Sequence, residues 1–167
     1  MPRILNIARR QCARATLLMM LCASVASPLA TAAELTQEEL ASQLTTLMRS
    51  GRLVISDNQN LISDATKGDK GLSPDKVIAG AKENYKKSAG KALPAPAPGT
   101  LEERCQKAML ESIAEVMAKN QDLINEKGKA YKGFLPAVFA RQVAESFTKK
   151  MKGEVLVKLT APKELIR

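Results

Sequence analysis

The sequence contains no histidine and no tryptophan, and aromatic residues make up only 3% of it. Without histidine there is no His-based catalytic triad, no imidazole metal site and no CxxCH haem-attachment motif within these residues. With so few aromatic rings a base-stacking surface for single-stranded nucleic acid is excluded as well. Cysteine is almost as scarce. Of the three cysteines, Cys12 and Cys22 lie in an N-terminal stretch that has the pattern of a removable leader, so Cys105 is left as the one thiol, with no partner for an intramolecular disulfide. Its ordinary role is that of a small buried hydrophobe.

The leader is residues 1–33. Arg3, Arg9, Arg10 and Arg14 form a basic start, ATLLMMLCASVA (Ala15 to Ala26) is an apolar run too short to span a bilayer, and small residues follow up to Ala33. These features predict a secretory signal peptide and a periplasmic location, with no membrane span once it is removed. The leader holds four of the 26 basic residues and none of the 17 acidic ones, so the mature chain carries +5 rather than +9. That residual charge is spread as single lysines among acids, the pattern of a solvated surface, and gives no nucleic-acid partner.

After the leader the chain reads as helices. Thr36-Gln37-Glu38-Glu39 is a capping box, and Leu40, Leu44, Leu47, Val54 and Leu61 predict one amphipathic helix running to about Ile62, with Gly51 marking a bend or a close contact. A Lys/Gly loop, 63–72, leads to Ser73-Pro74, which starts a second helix carrying Val77, Ile78, Ala81 and Tyr85 and stopped by Gly90. LPAPAPGT (Leu93 to Thr100) is a stiff linker. A second capping box at Thr100 opens another helix with Met109, Ile113, Val116 and Met117 on its stripe. A second Lys/Gly loop follows, and then a helix from Pro136 bearing Phe139, Val143 and Phe147. EVLVKLT, from Glu154, alternates as a strand does.

The second half repeats the first. NQNLISDATKGDKGLSP from Asn58 returns without a gap as NQDLINEKGKAYKGFLP from Asn120, 62 positions later. Around it Val54 pairs with Val116, Lys70 with Lys132, Pro74 with Pro136, and Tyr85 with Phe147. Each unit is a helical hairpin that cannot bury its apolar stripe alone, so the two copies are expected to pack on each other. Asp75-Lys76-Val77 becomes Ala137-Val138-Phe139, which predicts a more buried helix start in the second copy. The organisation is thus a leader (1–33), a first repeat (34–93), a Pro-rich linker (94–99), and a second repeat plus strand (100–167).

Two motifs have open roles. Asn58 and Asn120 fall near a helix end, where an amide either caps the turn or meets a ligand. The Lys/Gly loops are either plain connections or anion sites at a helix N-terminus, with Lys132 and the N–H of Gly133 as the groups involved. They lack the GxxxxGK[ST] spacing of a nucleotide loop.

AEVMAKNQDLINEKGKAYKGFLPAVFARQVAESF (Ala114 to Phe147) and VKLTAPKELIR (Val157 to Arg167) resemble a bacterial family first catalogued as a domain of unknown function. That family includes secreted c-type haem proteins with a PAS-like fold and extracytoplasmic sensor regions of signalling enzymes. The resemblance implies a mainly α chain forming the N-terminal part of an α+β PAS-like domain. The strand from Glu154 would open its sheet, and covalent haem attachment would lie beyond Arg167. It also implies a candidate axial haem ligand in Cys105, since a thiolate can ligate haem iron. The expected function is a non-enzymatic periplasmic sensor-like or haem-associated binding module, partnered by a small ligand or by a redox or signalling protein. Phe134 and Phe139 would wall its pocket, and Asn120, Lys132, Gly133 and Arg141 would meet polar edges. The alternative is a helical interaction or structural module that docks a protein partner. An enzyme is the weakest reading, because without histidine only lysines and carboxylates remain for a nucleophile–base pair, and no spacing marks such a set.

Overall fold

The computed structural model describes residues 35–158; residues 1–34, which include the expected leader, and residues 159–167 lie outside the described residues. Six helices follow in order: α1 (Gln37–Asp57), α2 (Gln59–Ser63), α3 (Pro74–Ala89), α4 (Leu101–Lys119), α5 (Gln121–Asn125) and α6 (Pro136–Lys150). The repeat is visible in these boundaries. Gln59 and Gln121 open the short helices, Pro74 and Pro136 open the last helix of each copy, and each pair is 62 residues apart.

Local chemistry sets the helix ends. Thr36 Oγ1 accepts from the Glu39 N–H at 3.2 Å while Glu39 Oε2 accepts from the Thr36 N–H at 2.9 Å, a complete capping box. At the start of α4 the box is half made. Thr100 Oγ1 accepts from the Glu103 N–H, but Glu103 Oε2 takes the N–H of Gly99 at 2.6 Å instead of that of Thr100. The Thr100 N–H turns back to the Ala97 carbonyl. Ser73 caps α3 ahead of Pro74, and Gly90 stops it at φ 71°, a left-handed conformation that glycine adopts without strain. The start of α6 has no side-chain cap, only Pro136 with its φ fixed for a first helical turn.

The expected single long helix in each copy is two. At Asn58 (φ −100°, ψ 11°) and Asn120 (φ −104°, ψ 6°) the backbone leaves the helical region and a short helix restarts. The amide side chain is the physical reason. Asn58 Nδ2 donates to the Val54 carbonyl at 2.8 Å and Asn120 Nδ2 to the Val116 carbonyl at 2.7 Å. An Asn side chain bonding four residues back competes with the backbone ladder and ends the helix.

α1 lies along α3, α4 lies along α6, and the pairs join through α3–α4 and α1–α6, giving a bundle of four long helices around one core. Leu47, Ile55, Val77, Met109, Ile113, Phe139 and Phe147 are fully buried in it. Phe134 meets Phe139 edge to face, with ring centroids 6.2 Å apart. Gly51 and Gly80 are close-approach positions rather than bends. A Cβ on Gly51 would sit 3.2 Å from Ile113 Cδ1, and one on Gly80 would sit 2.9 Å from Val54 Cγ2.

The α+β PAS-like expectation is wrong for this chain as described. The described residues are mainly helical and contain no β-strand. The segment from Glu154 to Lys158 is irregular. Lys152 and Gly153 both take positive φ just before it and turn the chain off α6. Val155 and Val157 then pack on the helical core instead of pairing with another strand. Alternation of apolar residues here reflects a tail with one side on a bundle, and period two alone does not distinguish that from a sheet. The rest of the expected strand, Leu159 and Thr160, lies outside the described residues. The expected greater burial of the second copy is seen along α6: Leu135, Val138, Ala140 and Ala144 are more enclosed than their mates Ser73, Lys76, Ile78 and Lys82. Leu72 and Phe134, Val77 and Phe139, and Tyr85 and Phe147 are buried in both copies, while Ala137, which replaces Asp75, stays exposed.

Candidate functional site

The repeated phrase builds one end of the bundle, where the two loops interlock. Gln121 Nε2 donates to the Leu72 carbonyl at 2.9 Å, and Asn125 Oδ1 accepts from the Lys70 N–H at 2.9 Å. The Gly128 N–H donates to the Ala65 carbonyl at 2.8 Å, and Lys132 Nζ donates to the Ile62 carbonyl at 2.6 Å. All four bonds join the second copy to the loop region of the first, three donated by the second copy and one by the Lys70 N–H of the first.

Two lysines, repeat mates of each other, lie inside this junction. Lys70 is 4% exposed and Lys132 is 6% exposed. Among the described residues neither has a carboxylate within ion-pair distance. Both ammonium groups bind backbone carbonyls instead: Lys70 those of Asp64 and Lys67, Lys132 that of Ile62. These carbonyls lie at or just past the C-terminal end of α2, where unpaired oxygens and the helix dipole favour a cation. Burial, and next the neighbouring Lys70 charge, pull the Lys132 ammonium below the ordinary lysine value. The arrangement is a clamp. It supplies donors to helix ends, and its amines are committed to carbonyls rather than poised beside a base for nucleophilic work.

Of the residues expected to line a ligand site, Phe134 and Phe139 meet in the core, whereas the polar ones are used separately. Cys105 and Asn120 stand near opposite ends of α4, about 22 Å apart along the helix axis at 1.5 Å per residue. Cys105 is fully buried, and burial pushes its thiol up, so it is held as the protonated form rather than as a metal-binding thiolate. Asn120 spends its amide on Val116 and on Gln142 Oε1 at 2.9 Å. Gly133 turns the loop at φ 70°. Phe134 and Phe139 are packed in the core, 1% and 0% exposed. Arg141 is on the outer side of α6 beside Glu145, at 3.9 Å with both side chains mostly in solvent. Among the described residues no group of three His, Cys, Asp or Glu side chains is placed to hold a metal ion.

Open space lies on the outside. One groove of about 680 Å³ runs beside α1 between Thr46 and Ser56 and is edged by Ser88 of α3. A second, more apolar, follows α6 from Ala137 to Lys149 and is edged by Val157. Neither groove was legible in the sequence: Arg49 and Arg52 carried no signal of their own, and Arg141 was expected at the polar edge of an internal pocket rather than on an outer groove. The Lys70 clamp had one available signal, its register with Lys132 in the repeat. No helix among the described residues is long and apolar enough to cross a membrane. Comparison with protein-family models, with curated proteins and with solved structures finds no match to this chain.

Proposed function

We propose that the chain is an exported, non-enzymatic helical module that docks a protein partner through the outer faces of its bundle. One observation carries this reading: the side chains that would have lined an internal ligand pocket are already used inside the fold. Phe134 and Phe139 fill the core, Asn120 and Lys132 bond backbone carbonyls, and Cys105 is sealed as a thiol. Helix faces and surface grooves are what remain for recognition. Two further features support a rigid docking scaffold. The loops at one end are fastened to each other by four hydrogen bonds, and close-packed glycines hold α1 against its neighbours.

The test combines two measurements on the full-length protein. A photo-crosslinking residue is placed in living cells at outward positions of α1, α3, α4 and α6 in turn. A discrete adduct, recurring at neighbouring positions of one face, is the expected result. In parallel, haemin is titrated against the purified protein and its Soret band followed. Saturable one-to-one haemin binding, with no adduct from any face, overturns the proposal and restores the haem-associated reading.

A further inference from the structure

The groove beside α1 is basic and rich in hydroxyls. Its lining includes two guanidinium groups, Arg49 and Arg52, and hydroxyls from Thr46, Ser50, Ser56 and Ser88, and it includes no carboxylate. Among the described residues neither arginine is paired with an acid. Arginine in this state keeps its planar fork of donors available for carboxylate oxygens. Between the arginines and Ser56 stands Leu53, 44% exposed, one of three large apolar side chains on the described surface.

The repeat supplies an internal comparison at the groove floor. Ser50 and Ser112 are mates in the 62-residue register, and both are buried, 3% and 0% exposed. Ser112 Oγ satisfies itself on the Ala108 carbonyl at 2.7 Å, four residues back. Ser50 has the same helical geometry available, yet its hydroxyl has no partner. A buried hydroxyl without a partner is an uncommon cost in a folded protein, and here it belongs to a residue that lines the groove.

We propose that this groove receives an acidic segment of a partner protein, lying extended along α1 with carboxylates on Arg49 and Arg52 and an apolar side chain on Leu53. The proposal rests on the docking reading above and names the face and the partner chemistry. Geometry favours a peptide over a lone anion. From Thr46 to Ser56 the groove follows about 15 Å of helix, the length of four or five extended residues. Alternate side chains of an extended strand recur at about 6.6 Å, and residues three apart on a helix are spaced about 5–6 Å, so two alternate carboxylates meet two arginines in register. A free anion in so open a groove would stay hydrated and would leave Leu53 in water.

The experiment measures fluorescence anisotropy of a labelled octapeptide with glutamate at alternate positions around two leucines, added to the intact mature protein. Lysine-for-glutamate and scrambled peptides, inorganic phosphate and phosphatidylglycerol vesicles are run alongside. The expected result is saturable binding of the acidic peptide alone. Raising the salt should weaken it, and Arg49→Glu/Arg52→Glu should weaken it at least about tenfold, as should Ser88→Glu on the opposite edge. Arg141→Glu on α6 should leave it unchanged, and circular dichroism should show every variant folded. The groove assignment is overturned by any of three results: peptide binding that ignores the α1 variants, binding of phosphate or vesicles in place of the peptide, or cellular crosslinks that fall on α6 instead of α1. The last of these leaves the docking reading standing while removing this groove from it.

Discussion

Replacing Lys132 with methionine tests whether the interlocked loops hold the two copies together. Methionine keeps most of the aliphatic stem and removes the ammonium. The Ile62 carbonyl then loses the donor that reaches it from the second copy at 2.6 Å. Leaving a buried acceptor without its partner costs about 1–3 kcal/mol. Two effects oppose that loss: the unpaired ammonium no longer has to be buried, and the repulsion from Lys70 disappears. The carbonyl penalty is the larger, because the bond lost is a charge-assisted one to the buried Ile62 carbonyl at 2.6 Å. A net destabilisation of about 1–2 kcal/mol is expected, which in a domain of this size lowers the melting temperature by about 3–8 °C. The pH dependence gives a second, sharper readout. The folded-state pKa of Lys132 is lowered, so between that value and the ordinary 10.5 the unfolded chain binds more protons than the folded one. Wild-type stability therefore gains a contribution as pH rises through this window, and Lys132→Met lacks it. The difference between wild type and variant should widen from neutral pH toward alkaline pH, as measured by urea unfolding at each pH. Taking the difference cancels shared groups such as Tyr85, whose raised pKa acts equally in both proteins above pH 10. A variant as stable as wild type at neutral pH, with a constant difference at higher pH, would refute the clamp.

Gly80→Ala places a methyl 2.9 Å from Val54 Cγ2. It should lower stability by about 1–2 kcal/mol in denaturant unfolding despite the better helix propensity of alanine, because α1 and α3 must part. Cys105 should react with a thiol reagent at least about a hundredfold more slowly in the native protein than in urea, since burial both shields it and suppresses the thiolate. The Glu115 carboxyl is drawn down to about 2, first by Lys119, then by Lys150 and by the Ser146 hydroxyl. Its contribution is present above the ordinary 4.5 and is lost as pH falls from there toward 2. Glu115→Gln should flatten acid unfolding in that window by about 1 kcal/mol or less, the small size following from a side chain one-third exposed.

The helices were legible because each carries both a start signal and a stripe. Thr36, Ser73 and Thr100 announce caps, and the apolar residues after them recur at helical spacing, so α1, α3 and α4 begin where the sequence says. The repeat was legible for a different reason: it is a comparison of the chain with itself and needs no propensity at all. What failed were readings that needed a partner to be seen. The break at Asn58 depends on an amide bonding its own turn, whereas apolar periodicity continues across it to Ile62. The strand from Glu154 was inferred from alternation, and alternation cannot show whether the neighbour is another strand or a helix face. The pocket was inferred from residue types suited to a ligand, and the same types suit internal bonding. Asn120 and Lys132 bond backbone carbonyls and Phe134 packs in the core.

The two copies share their core and differ in how their polar groups are used, and this difference is where a role beyond folding is to be sought. Leu72 and Phe134, Val77 and Phe139, and Tyr85 and Phe147 are exchanges of one buried apolar group for another, which leave each hairpin burying the same stripe. Lys70 and Lys132 are the same residue in the same register, yet Lys70 closes its own loop and Lys132 crosses to the other copy. Gln121 crosses to the Leu72 carbonyl, whereas Gln59 reaches only Ser63 in its own helix and leaves its side-chain oxygen unpartnered. Cross-copy fastening at this end is thus supplied by the second copy, and the first copy is the one held. Among the described residues, the two buried side-chain polar atoms without a partner, Ser50 Oγ and Gln59 Oε1, belong to that held copy. Of these two, Ser50 lies on α1 and lines the groove proposed to receive a partner, whereas its mate Ser112 on α4 bonds its own turn; Gln59 lies on α2.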